Sequence, residues 1–279
     1  SEVSPDWLLG FSDTYFGICA DVLGKRSNTR TLIDAYDNYE SYLAWCRPLH
    51  WLWRRSLKRC TAITAAGPGL LDYMSVGRET KNTAVIEMAA DDHFTPGPRE
   101  QARTALGLPL QKPIIVYSGS LYRNRGLKEL FELIDRTNRR YPSAEWVMSG
   151  RLETGVQLPQ NCHHLGYVDD DKVVEVLRSA DVIVCVNKPG GFGDYSYPVK
   201  IYEALATGVP VAAFKTESIA YVLRKHPESL VPFGDTAEMT KKIGEILSTS
   251  AENEPSASGW SGSSRLLQEH LLDWDKQPG

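Results

Sequence analysis

The chain is poor in cysteine, and the thiols that it has form no recognisable motif. Its 279 residues include five cysteines, an odd number, and no two of them are spaced as C-x-x-C. Both facts argue against a disulfide framework and against a zinc site. Cys185 lies in an apolar run, which predicts a small core residue, and free thiols suit a reducing compartment.

Long apolar runs and an excess of basic residues are also missing. No stretch approaches the ~20 apolar residues that a membrane-spanning helix needs. The N-terminus has no basic segment followed by a hydrophobic one, as a signal peptide would. The net charge is -4, whereas nucleic-acid-binding proteins usually carry a basic excess. We therefore expect a cytoplasmic protein that does not bind nucleic acid.

What the chain does have is an alternation of apolar strands and amphipathic helices. Its length suggests two domains, at roughly 100–200 residues per domain. The alternation is clearest in the second half, with predicted strands at 114–119, 145–150, 163–167, 181–186 and 209–214 and helices at 126–141, 169–179 and 198–207. Continuous apolar strands of this kind predict an α/β fold with a parallel sheet covered on both faces. Ligands of such sheets bind at the carboxyl ends of the strands.

Four segments are predicted along the chain. Residues 1–95 form a partial N-terminal Rossmann-like domain, and residues 96–112, interrupted by Pro and Gly, form a linker around a short helix at 98–106. Residues 113–247 form the C-terminal, ligand-binding Rossmann-like domain. Residues 248–279 are expected to hold a flexible loop rich in Ser, Gly and Glu and then a C-terminal helix.

A glycine-rich loop that opens into a helix is the feature most indicative of chemistry. It covers residues 187–210, NKPGGFGDYSYPVKIYEALATGVP, after a buried strand. The start of a helix offers unpaired N–H groups and partial positive charge to a phosphate, and Pro198 fits the first turn. Lys200 adds a cation, and Glu203, one turn further, could accept hydrogen bonds from the two hydroxyls of a ribose. On this pattern alone, a plain strand–helix unit with a solvated Glu203 is an equal alternative.

Two arginines form a second candidate. The sequence YSGSLYRNRGLK at 117–128 places Arg123 and Arg125 between the end of a strand and the start of a helix. Guanidinium groups match phosphate oxygens bidentately, so the pair suits a diphosphate. A solvated basic turn is the less favoured alternative.

Together these motifs resemble the family 4 retaining glycosyltransferases of the GT-B fold over about residues 112–215. The resemblance rests on the order and spacing of Ser118-Gly119-Ser120, Arg125-Gly126, Ser149-Gly150-Arg151, His164-Leu165-Gly166-Tyr167, Ala180-Asp181-Val182 and Pro198-x-Lys200-x-x-Glu203. Residues 89–109 are similar to the family's interdomain link, and Trp260 with the helix after it is similar to the segment that crosses back to the first domain. The implied fold is GT-B-like, with two Rossmann-like domains of which the N-terminal one, on the acceptor side, is incomplete.

By this resemblance Glu203 binds the ribose, Arg125 contacts the diphosphate with the help of Arg123, and backbone groups of the 190–197 loop meet the sugar. The implied donor-binding set is Gly119, Ser120, Arg123, Arg125, Gly150, Arg151, Tyr167, Gly191, Phe192, Tyr195, Tyr197, Pro198, Val199, Lys200 and Glu203. Arg125, Lys200 and Asp37 are the implied catalytic residues. Many members have a second glutamate eight residues before the first, where this chain has Tyr195, so how the sugar hydroxyls are held stays open.

The resemblance also implies chemistry without a metal ion and without a cofactor besides the substrate. Positive groups and helix dipoles would stabilise the departing nucleoside diphosphate. Asp169-Asp170-Asp171 superficially offers a metal-binding pattern, but acidic residues at the start of a helix explain it better.

The end of a predicted strand at 30–34 supplies candidates for the acceptor side. Asp34, Asp37 and Tyr39 lie there, although packing or capping roles fit them equally well. The opening strands and the glycine-rich loop of that domain are not found, which would leave an unpaired sheet edge. Three explanations stay open: a truncated recombinant chain, a truncated gene product, and a split enzyme whose partner chain supplies those strands.

Residues 43–60, LAWCRPLHWLWRRSLKRC, interleave tryptophans with basic residues. A basic, Trp-bearing amphipathic helix suits peripheral contact with the inner face of an anionic membrane, and hence a lipid-linked acceptor. A helix packed on its own domain with a solvated basic face is the favoured alternative, because Pro48 interrupts the pattern.

The function implied is the transfer of a hexose, with retention, from a UDP- or GDP-sugar to a glycan or lipid-linked acceptor. The alternative is a non-catalytic nucleotide-sugar-binding remnant or one subunit of a split glycosyltransferase, which the incomplete first domain favours. A sugar epimerase of the same fold is less favoured, because its catalytic residues would lie partly in the missing region. In the first two cases Glu203 and Arg125 bind a nucleotide sugar.

Overall fold

The computed structural model describes residues 4–78, 82–249 and 259–276. These residues divide into two compact units. The first unit comprises Ser1–Met88, Gly190–Tyr197 and Ser261–Gly279, and the second comprises Ala89–Pro189 and Pro198–Trp260. Among the helices in the described ranges, none combines the length and the apolar character that crossing a bilayer requires.

Ten strands and ten α-helices follow one another along the described residues. The strands are β1 (Trp7–Gly10), β2 (Arg30–Ala35), β3 (Ala62–Ala65), β4 (Thr83–Val85), β5 (Ile114–Ser118), β6 (Glu145–Ser149), β7 (Cys162–His164), β8 (Val182–Cys185), β9 (Val211–Lys215) and β10 (Leu230–Pro232). The helices are α1 (Thr14–Ser27), α2 (Arg47–Arg59), α3 (Pro68–Ser75), α4 (Arg99–Ala105), α5 (Leu127–Arg140), α6 (Asp170–Arg178), α7 (Val199–Thr207), α8 (Glu217–Val222), α9 (Thr236–Thr249) and α10 (Trp260–Asp275).

The first unit is built on a parallel sheet with the strand order β1-β2-β3-β4. Asp13 caps α1, because its side chain accepts hydrogen bonds from the backbone N–H of Tyr15 and of Phe16. Near the end of α10, Trp274 packs against buried residues of three of the strands: Leu32, Ala62 and Ala84. The C-terminal helix is thus part of the core of this unit.

The second unit has a parallel sheet with the strand order β10-β9-β8-β5-β6-β7. Its central strands are buried, as their continuous apolar sequences predict. Trp146 is fully buried and still donates a hydrogen bond from its Nε1 to Thr137 Oγ1 at 2.8 Å. This satisfies the indole N–H within a core that also contains Phe214. The α/β fold with parallel sheets agrees with the sequence-based expectation.

The segment predicted as a linker, residues 96–112, belongs to the second unit. Arg103, on α4, is 3% exposed and donates to the backbone carbonyls of Ser179, Leu110 and Lys112 at 2.8–3.1 Å. It also pairs with Asp181 at 2.7 Å. These bonds attach the segment to the body of the unit, so it is more than a connection between domains. The flexible loop expected after residue 248 lies largely outside the described residues.

Residues 215–247 received no prediction beyond strand ends, and the structure places α8, β10 and α9 there. β10 has only three residues, one of them Pro232. The buried face of α9 alternates threonines with apolar side chains, as Thr236, Met239, Thr240 and Ile243. Sequence analysis recognises a helix by the spacing of its apolar residues. A helix whose inward face is half polar shows this spacing only weakly.

Replacing two glycines by alanine should change stability in opposite directions. Gly208 ends α7 with φ at 75°, in the left-handed region, so Gly208→Ala should cost about 1–2 kcal/mol. Gly262 lies within α10 with open space where a Cβ would stand, so Gly262→Ala should stabilise by about 0.5–1 kcal/mol. Urea denaturation of the two variants beside the parent chain measures both; a stabilised Gly208→Ala would contradict the assigned cap.

Candidate functional site

The carboxyl edge of the second sheet is formed by glycines that let two backbone segments approach closely. Gly119 follows β5 and Gly150 follows β6. The Gly119 N–H donates to the Ser149 carbonyl at 2.7 Å, and the Gly150 N–H donates to the Gly166 carbonyl at 2.8 Å. A Cβ on Gly150, whose φ is 127°, would overlap the Gly119 carbonyl. A side chain is therefore excluded at this turn, and backbone groups line the edge.

Lys200 extends to the same edge from the first turn of α7. Its Nζ lies directly against Gly119, so that a Cβ there would overlap it. Glu203 lies one turn further along α7, and both side chains are half-buried. Across the ranges that the structure describes, neither the Lys200 ammonium nor the Glu203 carboxylate has a hydrogen-bond or ion-pair partner. The Lys200 and Glu203 side chains are thus both partly dehydrated, and their hydrogen-bonding groups are available to a ligand.

The pKa of Lys200 is lowered, chiefly because burial disfavours its charged form. The Arg125 guanidinium lowers this pKa further, whereas Cys185 and Glu203 oppose the shift. Cys185 ends β8 and is itself enclosed, and burial raises the pKa of its thiol to about 11. Because two cations, Lys200 and Arg125, interact here in partly dehydrated surroundings, the site favours an anionic ligand.

Burial raises the pKa of Glu203 to about 7. Lys200 and His93 lower this pKa, while the carboxylates of Asp170 and Asp91 raise it. At neutral pH the side chain is therefore about half ionised. A carboxylate kept in this condition gains when a ligand supplies hydroxyl donors, because each charge-assisted hydrogen bond favours the ionised form.

The other predicted donor-binding residues of the second unit have varied surroundings. Arg123 pairs with Glu153 at 2.6 Å and is exposed, so it is already engaged. The Arg125 guanidinium lies 6.0 Å from the centre of the Tyr122 ring, and that of Arg151 lies 5.0 Å from that of Tyr167. Ser120 follows β5, Pro198 precedes α7 and Val199 begins it, and all three are half-buried.

The glycine-rich loop predicted to meet the sugar, Gly190–Tyr197, belongs to the first unit. The Gly191 carbonyl accepts from Asn38 Nδ2 at 2.8 Å. The Phe192 ring lies 5.8 Å from that of Tyr42, in an edge-on arrangement. These contacts hold the loop to residues that follow β2.

Tyr195 and Tyr197 also pack within the first unit. The Tyr195 ring lies 5.0 Å from the ring of Tyr73, on α3. Tyr197 is 4% exposed, and its hydroxyl accepts from the backbone N–H of Gly69 and of Leu70 at the start of α3. The Tyr197 hydroxyl is therefore used as a helix cap.

Of the three predicted acceptor-side residues, Tyr39 is buried and Asp34 and Asp37 are half-buried. Asp34 accepts from the Thr64 hydroxyl at 2.5 Å across the β2–β3 pair, and burial raises its pKa to about 6 despite that bond. Tyr39 is 7% exposed and packs edge-on against Trp53. Asp37 accepts from the hydroxyl of Tyr42, which is exposed. The packing alternative thus fits Asp34 and Tyr39, while Asp37 lies nearer the surface.

Sequence reasoning missed a polar network beside Tyr73. The Arg54 guanidinium donates to both carboxylate oxygens of Glu40, at 2.5 and 3.1 Å, and the Tyr73 hydroxyl donates to Glu40 at 2.6 Å. Burial alone would raise the pKa of Glu40, but these bonds outweigh it and hold the pKa below its usual range. Cys185, which interacts electrostatically with Lys200, was also missed as a site residue, because an apolar run signals only core.

The Asp169–Asp171 run is placed as expected for a helix start. Asp169 precedes α6, and Asp170 and Asp171 lie in its first turn, where negative charge is favoured. The Asp170 carboxylate also acts on the site electrostatically, because its negative charge contributes to the raised pKa of Glu203.

A family model described as Glycosyl transferases group 1 matches residues 98–258, more than half of the chain. TuaC of Bacillus subtilis, a putative teichuronic acid biosynthesis glycosyltransferase, is 32% identical over 134 residues, which are 48% of this chain and 32% of that protein. The D-inositol 3-phosphate glycosyltransferase of Corynebacterium urealyticum is 26% identical over 186 residues, 59% of this chain and 43% of that protein. The chain spans less than half the length of these curated relatives.

Solved structures resemble the chain over nearly its whole length. Sucrose-phosphate synthase from Thermosynechococcus elongatus has a TM-score of 0.77 at 15% identity, covering 96% of this chain and 73% of that one. Anabaena Alr3699/HepE in complex with UDP has a TM-score of 0.77 at 14% identity, covering 96% and 79%. At such identities the likeness shows the fold, which is of the GT-B kind. With the family model, it follows that the chain belongs to the glycosyl transferases group 1 family.

Proposed function

We propose that the chain is a retaining glycosyltransferase of family 4 that binds a UDP- or GDP-hexose and transfers the hexose to a glycan or lipid-linked acceptor at the cytoplasmic face of a membrane. The reaction proposed needs no metal ion. Glu203 holds the ribose, while Lys200 and Arg125 stabilise the negative charge of the departing nucleoside diphosphate.

One observation carries the proposal: Lys200 and Glu203 lie on one turn of α7, half-buried and without partners in the described parts of the chain. A nucleoside diphosphate offers what each of them lacks. Its phosphates are anionic and would pair with the ammonium, and its ribose hydroxyls would donate to the carboxylate. The HepE structures, in complex with UDP and with UDP-glucose, support the choice of a uridine nucleotide as the first probe.

Isothermal titration with UDP and with GDP tests the binding claim. We expect one of them to bind the folded chain at about one site, and the preferred base identifies the donor class. No heat from either nucleotide, with a chain that melts cooperatively, would contradict the proposal. Release of nucleoside diphosphate from the matching nucleotide sugar, with and without candidate acceptors, then tests turnover.

The alternative function is a nucleotide-sugar-binding protein without turnover, or one subunit of a split enzyme with a partner chain. It shares the donor site and differs only in chemistry. Binding of the nucleotide without hydrolysis or transfer of the sugar would favour this alternative. Retention is tested by comparing the anomeric configuration of any product with that of the donor sugar.

Lys200→Met should slow the reaction more than it weakens binding of the donor. The ammonium matters most when negative charge develops on the leaving diphosphate, so its removal should lower kcat by roughly 10- to 100-fold, since a charge-assisted bond contributes about 1.5–3 kcal/mol. Lys225→Met, at an exposed position after α8, is the matched control and should leave kcat unchanged. Equal rates for Lys200→Met and the parent chain would remove Lys200 from the mechanism.

A further inference from the structure

Four aromatic side chains of the first unit lie together near the end of β2, and three of them reach the surface. Tyr36 and Tyr42 are 38% and 52% exposed, and Phe192 is half-buried. Tyr39 is buried, and its ring lies edge-on to that of Tyr36 at 5.7 Å and stacked with that of Tyr42 at 6.4 Å. The Phe192 ring lies 5.8 Å from that of Tyr42. We call Tyr36, Tyr42 and Phe192 the aromatic platform.

Contacts with buried and polar groups hold the platform in one arrangement. Tyr39 packs edge-on against Trp53 of α2, with ring centres 5.9 Å apart, so the rings that rest on Tyr39 are supported from the core. The Tyr42 hydroxyl donates to Asp37 Oδ2 at 2.7 Å, which fixes the direction of the Tyr42 ring. The bond from Asn38 Nδ2 ties the glycine-rich loop to the same segment. Side chains ordered in advance lose little freedom when a ligand covers them.

The position and the charge of the platform both bear on the kind of ligand. Tyr36 directly follows β2, at the edge where ligands of parallel sheets bind. The Asp37 carboxylate lies beside Tyr42, and the nearby cation Arg54 is engaged by both carboxylate oxygens of Glu40. A carboxylate has about four acceptor sites, so Asp37 can accept from a ligand hydroxyl as well as from Tyr42. A phosphate at the same place would be repelled.

We propose that the aromatic platform binds the ring of an uncharged hexose, the terminal residue of a glycan acceptor. A hexopyranose has a face of C–H groups, which pack on the electron-rich faces of aromatic rings, and an edge of hydroxyl groups, which can donate to Asp37. An acyl chain would cover the rings but would remove water from Asp37 without replacing its hydrogen bonds. The role of the sugar as acceptor rests on the proposed function. Phe192 belongs to the loop proposed to meet the donor sugar, so the platform holds the acceptor beside that loop.

Saturation-transfer NMR without nucleotide tests the binding of the sugar directly. The probes are the methyl glycosides of glucose, galactose, mannose and N-acetylglucosamine, with glucose 6-phosphate as the anionic counterpart. We expect at least one glycoside to bind, with saturation strongest at the C–H protons of one ring face, and to bind more tightly than glucose 6-phosphate. Tyr42→Ala should weaken this binding roughly 3- to 10-fold, the usual size of one aromatic contact. Tyr15→Ala, at a 55% exposed position of α1 outside the platform, is the matched control and should bind like the parent chain.

Two conservative variants separate the ring from the charge. Tyr42→Phe keeps the ring and should retain most of the affinity that Tyr42→Ala loses. Asp37→Asn removes the negative charge, so its affinity for glucose 6-phosphate relative to the methyl glycoside should rise several-fold. No binding of any of the four glycosides, equal losses in Tyr42→Ala and Tyr15→Ala, or preference of the parent chain for glucose 6-phosphate would each overturn the proposal. Titration with UDP and GDP is a separate measurement on the same variants, so failure at the platform and failure at the donor site are distinguishable.

Discussion

Glu203→Ala should bind its nucleotide roughly 10²- to 10⁴-fold more weakly than the parent chain, because two hydrogen bonds to a charged group contribute about 1.5–3 kcal/mol each. The loss should fall on the nucleoside part of the ligand. Inorganic diphosphate, which lacks a ribose, should bind the variant and the parent chain alike. Glu245→Ala, at an exposed site on α9, is the matched control. Unchanged affinity for UDP and GDP in Glu203→Ala would exclude the ribose contact.

The same residue should be unfavourable for stability when no nucleotide is present. Its pKa is about 7 in the folded chain against an ordinary value of 4.5, so folding favours the protonated form. The resulting stability is fully present below pH 4.5 and is lost as the pH rises through 7, by about 3 kcal/mol. Glu203→Gln cannot ionise and should keep that stability at pH 8. Urea denaturation at pH 5 and pH 8 measures the difference.

Asp34 provides an internal reference for this experiment. Its pKa is also raised by burial, from 3.8 to about 6, so both chains should lose stability through Asp34 as the pH rises from about 4 to 6, and part of this loss falls above pH 5. Only the part contributed by Glu203 should vanish in Glu203→Gln. Identical pH profiles for the two chains would mean that Glu203 is solvated as in the simple strand–helix interpretation.

Arg103→Ala should destabilise the second unit by about 3–5 kcal/mol, the usual cost of breaking a buried ion pair from one side. The substitution removes the guanidinium donor from three backbone carbonyls, and it leaves Asp181 Oδ2 with the Ile114 N–H alone. Lysine should not rescue, because a single ammonium cannot reach acceptors that the guanidinium fork spans. Urea midpoints of Arg103→Ala and Arg103→Lys measure the effect.

Arg99 is the matched control, because it bonds to the other oxygen of the same aspartate. It donates to Asp181 at 2.5 Å, but its side chain is 49% exposed. An exposed ion pair contributes at most about 1 kcal/mol, so Arg99→Ala should be nearly neutral. Equal losses in the two variants would show that charge on Asp181, and not the buried bonds of Arg103, holds α4 in place.

The fold of the second half was predictable because its strands are continuous apolar runs bounded by clear helix signals. β5, β6 and β8 lie within one residue of the predicted bounds at each end. The choice of Glu203 and Lys200 came from the helix start after a glycine-rich loop. The pattern could not indicate that the Lys200 ammonium lies against Gly119 and interacts electrostatically with Cys185, since these residues approach one another only in the folded sheet.

Long-range packing explains what the sequence could not indicate. Tyr195 was predicted among the donor-binding residues, and its ring packs on that of Tyr73, more than 100 positions earlier in the chain. Asp34 was a candidate for contact with the acceptor, and its carboxylate accepts a hydrogen bond from Thr64 on the neighbouring strand. No local sequence pattern marks Tyr73 or Thr64 as the partner of these residues. The contact with each partner nevertheless limits which ligand atoms Tyr195 and Asp34 can reach.

The placement of Gly190–Tyr197 in the first unit affects how the second unit can be exchanged between related genes. The polypeptide changes unit at 88–89, 189–190, 197–198 and 260–261, so neither unit is one uninterrupted stretch of gene. A recombination event that exchanged the segment for residues 89–260 would carry along eight residues whose packing partners, such as Asn38 and Tyr73, are encoded elsewhere. Swaps of donor specificity between such proteins should therefore succeed only when the loop and its partners are exchanged together.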